Sequence, residues 1–552
     1  LFNLFATRAL KLFAALHTPL IVQRALLEGF FRFRLKTSGT FDFFHFTRNL
    51  YSHFLTNIRF MRFIILLNFV LFASFLSAQP LPESFIPISE PSAHIKFLAS
   101  DELEGRMTGE HGNNVAARYI ATQFQRYGVK PLTPNYFQPI SFIKRIAPKL
   151  LALKLGNRTI NSDNLLLLTG DSINVSAKVV YVGFGMVDSV SGRDDYNGID
   201  VKGKIVIARI GTSEEDSPRQ LFGAFKQKQD AAKAKGALAL IELYRFGFPF
   251  GRLKEFFGGG SLSLDDETET QSAFAHVLLN DDDSAIRALV QTQKNLNGVL
   301  QTDGYKAQKV VSNNVVGMIE GTDPKLKEEF VMLTAHYDHI GIKSTPSSID
   351  SIYNGARDNA MGTTALLCAA RIFKESPPKR SVLLLACTGE EIGLLGSRYY
   401  AEHPLVPLDK TVFNLNIDGA GYNDTSIVTV IGLERTTAEQ DILEACKAFG
   451  LGAIQDPAPE QNLFDRSDNV SFARKGIPAP TFSPGFRAFD EAINKFYHQV
   501  SDQADENFDF AYLHRFVKAF IHAARRIADN PSAPQWKSGD KYESVGKKLY
   551  AK

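Results

Sequence analysis

The sequence predicts an α/β protein: a mixed, mostly parallel central sheet flanked by helices, with a small β-rich module set into it. Three observations lead there. Over residues 306–530, near-continuous apolar runs of strand length alternate with helical stretches, the pattern of strands buried on both faces and joined through helices. Residues 176–210 read as two strong strands around a polar loop, and a Gly/Ser/Asp-rich stretch at 257–272 sets this region apart. A chain of 552 residues also exceeds one ordinary domain.

Taken in order, residues 1–60 carry eight Lys/Arg against Glu28 and Asp42, twelve phenylalanines and no clear periodicity; the first methionine is Met61. They read as a non-native upstream leader. "MRFIILLNFVLFASFLSAQP" then gives a signal peptide over 61–78: Arg62, the apolar Phe63 to Leu76, and the small pair Ser77-Ala78. Leu76 at the −3 position leaves the exact cut open. The apolar run is short for a membrane span, and no cysteine follows it as a lipid anchor would require. A secreted or periplasmic chain without a membrane anchor is expected. Removing the leader and Arg62 takes the net charge from +3 to about −4, which leaves no basic arm asking for nucleic acid.

Residues 79–165 are expected to be the N-terminal part of the main domain, with helices over 92–99 and 112–127 and Gly128 as a stop. Residues 166–305 form the inserted module, 306–530 the C-terminal part of the main domain, and 531–552 a polar extension. The last clear helix, Ala511 to Ala528, places Leu513, Phe516, Val517, Phe520 and Ile521 on one stripe, which predicts core packing. Cys368, Cys387 and Cys446 lie in apolar or helical contexts without CxxC spacing and are expected to be core residues. No internal repeat is present.

In open α/β sheets, ligands bind beyond the carboxyl ends of the strands, so the residues that end each strand carry the chemistry. "EEFVMLTAHYDHIG" ends in His336 and Asp338, "SVLLLACTGEE" in Glu390 and Glu391, and "TVFNLNIDGAG" in Asp418. Asp358 opens a helix in "GARDNAMGTTALL", and His498 lies in "NKFYHQVSDQADE". Each alone has an ordinary reading: a hydrogen-bonded strand-end histidine, a helix-start carboxylate, a turn aspartate. Together, two imidazoles and several carboxylates are ligands suited to divalent zinc, and cations would relieve the repulsion among the acids.

The motifs "AHYDHIG", "GARDNAMG", "TGEE", "NLNIDG" and "YHQVSD", in that order and spacing, resemble the dinuclear-zinc aminopeptidase family, which includes glutamate carboxypeptidases. "HIKFLASDELEGRMTGEHG" resembles the N-terminal segment of its secreted bacterial members, and residues 176–300 resemble the protease-associated domain many members carry. The resemblance implies a zinc exopeptidase fold and two zinc ions per chain. Asp358 would bridge them, His336 and Asp418 would complete one, and Glu391 and His498 the other. Asp338 would orient the His336 imidazole, and His339 is set aside because the family uses the first histidine of the motif. Glu390 would be the general base for a metal-bridging hydroxide, and Asp358–Asn359 a cis peptide.

The implied activity is hydrolysis of the N-terminal peptide bond of peptide substrates. Arg357 stands where the family commonly has a small or acidic residue, which keeps open a carboxypeptidase or dipeptidase of the glutamate carboxypeptidase type. "RSDNVSFARKGIPAP" resembles the family's substrate-side segment and equally reads as a capped short helix before a strand. A non-catalytic receptor-like homologue would be expected to lack the base or a ligand. A one-zinc glutaminyl cyclase is disfavoured by the insert. Side-chain preference, oligomeric state and the metal used in the cell are not encoded in any motif.

Overall fold

Runs apolar on every residue can only be buried on both faces, and they become the central strands. The computed structural model describes residues 81–551 apart from 215, 217, 259, 266–273, 281–284, 294 and 344–349. The leader at 1–60 and the signal peptide at 61–78 lie outside the described residues. Strands β1 (Phe137–Ile146), β2 (Ser261–Leu264), β3 (Lys306–Ile319), β4 (Phe330–His336) and β5 (Ser381–Cys387) come first in the main sheet. They are followed by β6 (Thr411–Ile417), β7 (Ile427–Ile431), β8 (Gly452–Ile454) and β9 (Thr481–Pro484). The order across the sheet is β2-β1-β3-β5-β4-β6-β9-β7-β8, with the two-residue strand Lys130–Pro131 beside β3.

The sheet is mixed, as expected, but parallel only in part. β5, β4, β6 and β9 run parallel at its centre, as does the β7–β8 pair. Every other pairing is antiparallel, β3 with β5 and β1 with β3 included. Helices that return the chain between strands keep the central strands parallel, whereas the flanking strands are not tied by such crossovers.

Helices cover both faces. α1 (Ser89–Leu98), α2 (His111–Tyr127), α3 (Met361–Glu375), α5 (Glu439–Ala448) and α6 (Phe510–Asp529) share one hydrophobic core with the sheet. α4 (Leu395–Glu402), which follows β5, packs in a second core on the other side. α6 is capped by Asp509, whose side chain accepts from Tyr512 N at 2.8 Å. Its stripe is fully buried, each large apolar side chain contributing roughly 1.5–3 kcal/mol. All three cysteines are buried and free.

A second sheet of eight strands is built within residues 151–302, starting at Leu151 rather than at residue 166. Four of its strands, Ile173–Tyr181, Ile205–Arg209, Ala239–Tyr244 and Ala275–Asn280, run parallel. One strand of this segment, β2, leaves it and pairs antiparallel with β1 at the edge of the main sheet. Residues 531–552 are not a loose tail: α7 (Glu543–Leu549) docks there, and Trp536 is buried. No described helix is long and apolar enough to cross a membrane.

Candidate metal centre

The carboxyl ends of β4, β5 and β6 bring His336, Glu390, Glu391 and Asp418 together; the three acids line one cavity, to which the loop before α3 adds Asp358, and His336 is buried beside them. That loop needs Gly355: its φ is 58°, and a Cβ there would meet Asp358 O at 2.2 Å and His339 Cγ at 2.6 Å. The Asp358–Asn359 peptide is cis. Asp358 offers one oxygen to each of two imidazoles. Its Oδ1 lies 3.3 Å from His336 Nε2, and its Oδ2 lies 3.3 Å from His498 Nε2. His336 Nε2 also stands 3.1 Å from Asp418 Oδ1, and His498 Nε2 stands 3.0 Å from Glu391 Oε2. The five residues thus form two half-sites that share Asp358.

His339, set aside from sequence, stands in the second half-site. Its Nδ1 is 2.5 Å from Glu391 Oε1, while its Nε2 is buried without a partner. The "HYDH" spacing of three residues was the available signal, since it lets both imidazoles approach the Asp358 carboxylate. Glu390 Oε2 approaches His336 Nε2 at 4.0 Å and belongs to neither His498 nor His339.

Asp338 is fully buried, and its carboxylate is directed elsewhere than the family resemblance implied. Its Oδ1 is 3.8 Å from His336 Nδ1, beyond hydrogen-bond length, and the ring nitrogen instead lies 3.2 Å from the Asp338 backbone carbonyl. The carboxylate accepts from Thr108 Oγ1 at 2.9 Å and from the backbone amides of Glu390 and Glu391 at 3.3 and 3.4 Å. It therefore fixes the backbone that presents the two glutamates. Thr108 in turn accepts from Gly389 N at 3.0 Å.

Burial lowers the proton affinity of His336, but Glu390 and Asp418 overcome that and hold the imidazole well above its usual range. Burial raises Glu390 well above an ordinary carboxylate, with Asp418 and Glu391 adding to the shift. Burial and Asp358 push Glu391 up, yet His339 and His498 bring it down to about 2. So many acids meeting at paired imidazoles are what cations would neutralise, and three groups of three donors here each lie within 4.8 Å: His336/Asp358/Asp418, His339/Asp358/Glu391 and His336/Glu390/Glu391. The donor set fits a pair of divalent ions. A further cluster, Glu90/His94/Cys368, does not compete, because Arg371 bonds both Glu90 oxygens.

Arg357 does not reach the substrate space. It is buried, its Nη1 bonds Asp502 at 2.9 Å, and its guanidinium lies 3.9 Å from the centre of the Phe496 ring. Asp502 also accepts from the backbone amides of Arg357 and Asp358, so the pair braces the shared carboxylate.

Residues 314–524 match the family model described as "Peptidase family M28". The chain is 24% identical over 376 residues to "Aminopeptidase YwaD" of Bacillus subtilis, covering 62% of this chain and 74% of that one. It is 32% identical over 194 residues to "Vacuolar membrane protease" of Saccharomyces cerevisiae, covering 35% of this chain and only 18% of the longer yeast protein. The fold is similar to that of "Aminopeptidase from Aneurinibacillus sp. strain AM-1" at a TM-score of 0.54 and 21% identity, over 82% of this chain and 96% of that one. Over residues 314–524 the chain is similar to peptidase family M28, and it is a hydrolase of peptide bonds.

Proposed function

We propose that the chain is a zinc-dependent aminopeptidase, exported to the periplasm or beyond the cell, that removes the N-terminal residue of peptides. The observation that carries this reading is the pair of half-sites sharing Asp358, with Glu390 beside them but bonded to neither. His336, Asp358 and Asp418 would hold one zinc, and Asp358, Glu391 and His498 the other. Bound there, zinc supplies Lewis acidity toward the scissile carbonyl and the attacking water. Glu390 takes the water's proton and passes it to the departing amine, a task its raised proton affinity suits. Asp338 and Thr108 hold the Glu390 backbone in place. The printed names of the B. subtilis and Aneurinibacillus proteins support the choice of the amino end. Export rests on the sequence of residues 61–78.

A second reading, a carboxypeptidase or dipeptidase, no longer draws on Arg357, which is buried. It draws instead on Arg398, Arg466 and Arg474, which line the cavity. Peptides blocked at one end decide between them. C-terminally amidated peptides should be cut and N-acetylated ones resist; the reverse result would establish the carboxypeptidase. Glu390→Gln should retain zinc and the native melting profile while turnover falls about 10²–10⁴-fold. Full activity in that variant would remove Glu390 from the mechanism.

A further inference from the structure

Strand β3 outruns its neighbour β5. The last residues paired between them are Val315 and Ala386. Beyond that point Asn314 and Ser312, two apart and so on one face, turn their polar side chains toward the loop that follows β5. That loop, residues 388–394, carries Glu390 and Glu391 and leads into α4. It closes on itself: Leu395 N donates to Gly389 O at 2.8 Å, and Gly393 N and Leu394 N donate to Glu390 O at 3.0 and 2.9 Å.

Asn314 is fully buried and holds both feet of the loop. Its Oδ1 accepts from Thr388 N at 3.2 Å, where the loop leaves β5. Its Nδ2 donates to Gly396 O at 2.9 Å, in the first turn of α4, and to Gln138 Oε1 at 3.0 Å. Gln138 stands opposite Asn314 in the β1–β3 register, and its Nε2 donates to His403 O at 2.8 Å, past the far end of α4. The fit is close, since a Cβ at Gly396 would meet Thr388 O at 2.0 Å and Asn314 Oδ1 at 2.6 Å. Ser312 Oγ lies 2.7 Å from Thr388 Oγ1 and donates to Asn113 Oδ1 at 2.7 Å. An apolar side chain in place of Asn314 would strand Thr388 N and Gly396 O in the interior. A carboxylate of the same shape would keep only the bond from Thr388 N.

We propose that Asn314 is a positioning residue for peptide hydrolysis: by pinning Thr388 and Gly396 it fixes where the loop delivers the Glu390 carboxylate beside His336. This rests on the reading of Glu390 as general base. Asp338 and Thr108 hold the middle of the loop by the amides of Gly389, Glu390 and Glu391, and Asn314 holds its two ends. Misplacing a catalytic group by about 1 Å costs roughly 10²-fold in rate. The apolar walls at Leu463, Phe486 and Phe489 come from other segments, so releasing the ends should lower kcat more than it raises KM.

Asn314→Ala, assayed on leucine p-nitroanilide, should lose about 10²-fold in kcat with KM within about threefold of the native value. In a Glu390→Gln background the same substitution should cost less than about threefold, because displacement of the base no longer matters once the base is gone. Should Asn314→Ala not fold, Asn314→Asp, which keeps the shape and lacks both donors, takes its place with the same expectation. Hydrogen exchange read by mass spectrometry on zinc-loaded, substrate-free protein follows the loop without turnover. The Gly389, Glu390 and Glu391 amides should exchange about tenfold faster in the variant. A native kcat, an equal loss in the Glu390→Gln background, or faster exchange that is absent or confined to Thr388 would each overturn the proposal and leave Asn314 a stabilising core residue. Full activity in Glu390→Gln alone would instead sink the general-base reading, and the exchange result, independent of turnover, then decides whether Asn314 holds the loop.

Discussion

Glu390 and Glu391 leave the end of β5 side by side and face different partners. Glu391 lies against His339 and His498, and Glu390 lies against His336. The two carboxylates come within 4.8 Å of one another beside His336, so their partners, rather than their directions, separate their roles. Removing Glu391 should therefore affect metal, not proton transfer. Glu391→Ala and His498→Ala are each expected to lower the zinc content of purified protein, measured by mass spectrometry of the metal. His339→Ala should keep both ions but weaken their retention against a chelator by about tenfold, the scale of an outer partner. If His339→Ala loses an ion and His498→Ala does not, the two histidines exchange roles. Sequence alone left this choice to resemblance, because spacing shows that both imidazoles can reach the site but not which nitrogen is unpartnered there.

At the scale of elements, the centre is held by a segment that contributes no ligand. Residues Asp101–Arg106 form a short turn between α1 and α2, and the Arg106 side chain is fully buried. Its Nε donates to Tyr337 O at 2.7 Å, between His336 and Asp338. Its terminal nitrogens donate to Asn354 O at 2.6 Å and Gly355 O at 3.0 Å, on the loop leading to Asp358, and also to Leu98 O. One guanidinium thus ties together the two loops that carry His336 and Asp358. Arg106→Met would strand several buried carbonyls and should cost at least about 3 kcal/mol in urea unfolding. An unchanged midpoint would show that water replaces the guanidinium. The strand ends bearing the chemistry were readable in the sequence because each is a local pattern: an apolar run that stops at a His, Asp or Glu. The Arg106 bonds were not, since a lone arginine in "DELEGRMTG" reads as a solvated charge until residues more than two hundred positions away close over it. The antiparallel flanks escaped for the same reason. Strand pairing is non-local, and β3 gives no local sign that its neighbours run the other way.

Across residues 82–552, which form one unit, both ends of the described chain are fastened to its core. Glu83 is buried against Arg525 and His522 of α6. At the other end, the polar composition of residues 531–552 concealed one large anchor, Trp536, the single tryptophan of the chain. Its indole Nε1 donates to Gly476 O at 2.9 Å, and Arg435 lies over the rings of Phe464 at 3.9 Å and Trp536 at 5.2 Å. Asp540 holds that arginine from the tail, with its Oδ2 2.7 Å from Arg435 Nε. Phe464 lies between Leu463 and Asp465, and both of those line the catalytic cavity, so the tail supports a wall of the site. Ending the chain after Asn530 should lower unfolding stability by about 3–5 kcal/mol, the cost of removing a buried tryptophan, and should raise KM as the 463–466 wall loosens. Indole emission supplies the control: in the full chain its shift to longer wavelength should coincide with loss of helical circular dichroism in urea. An emission shift well before helix loss would make the tail a separately melting element, and a truncated chain of unchanged stability and KM would deny it any supporting role.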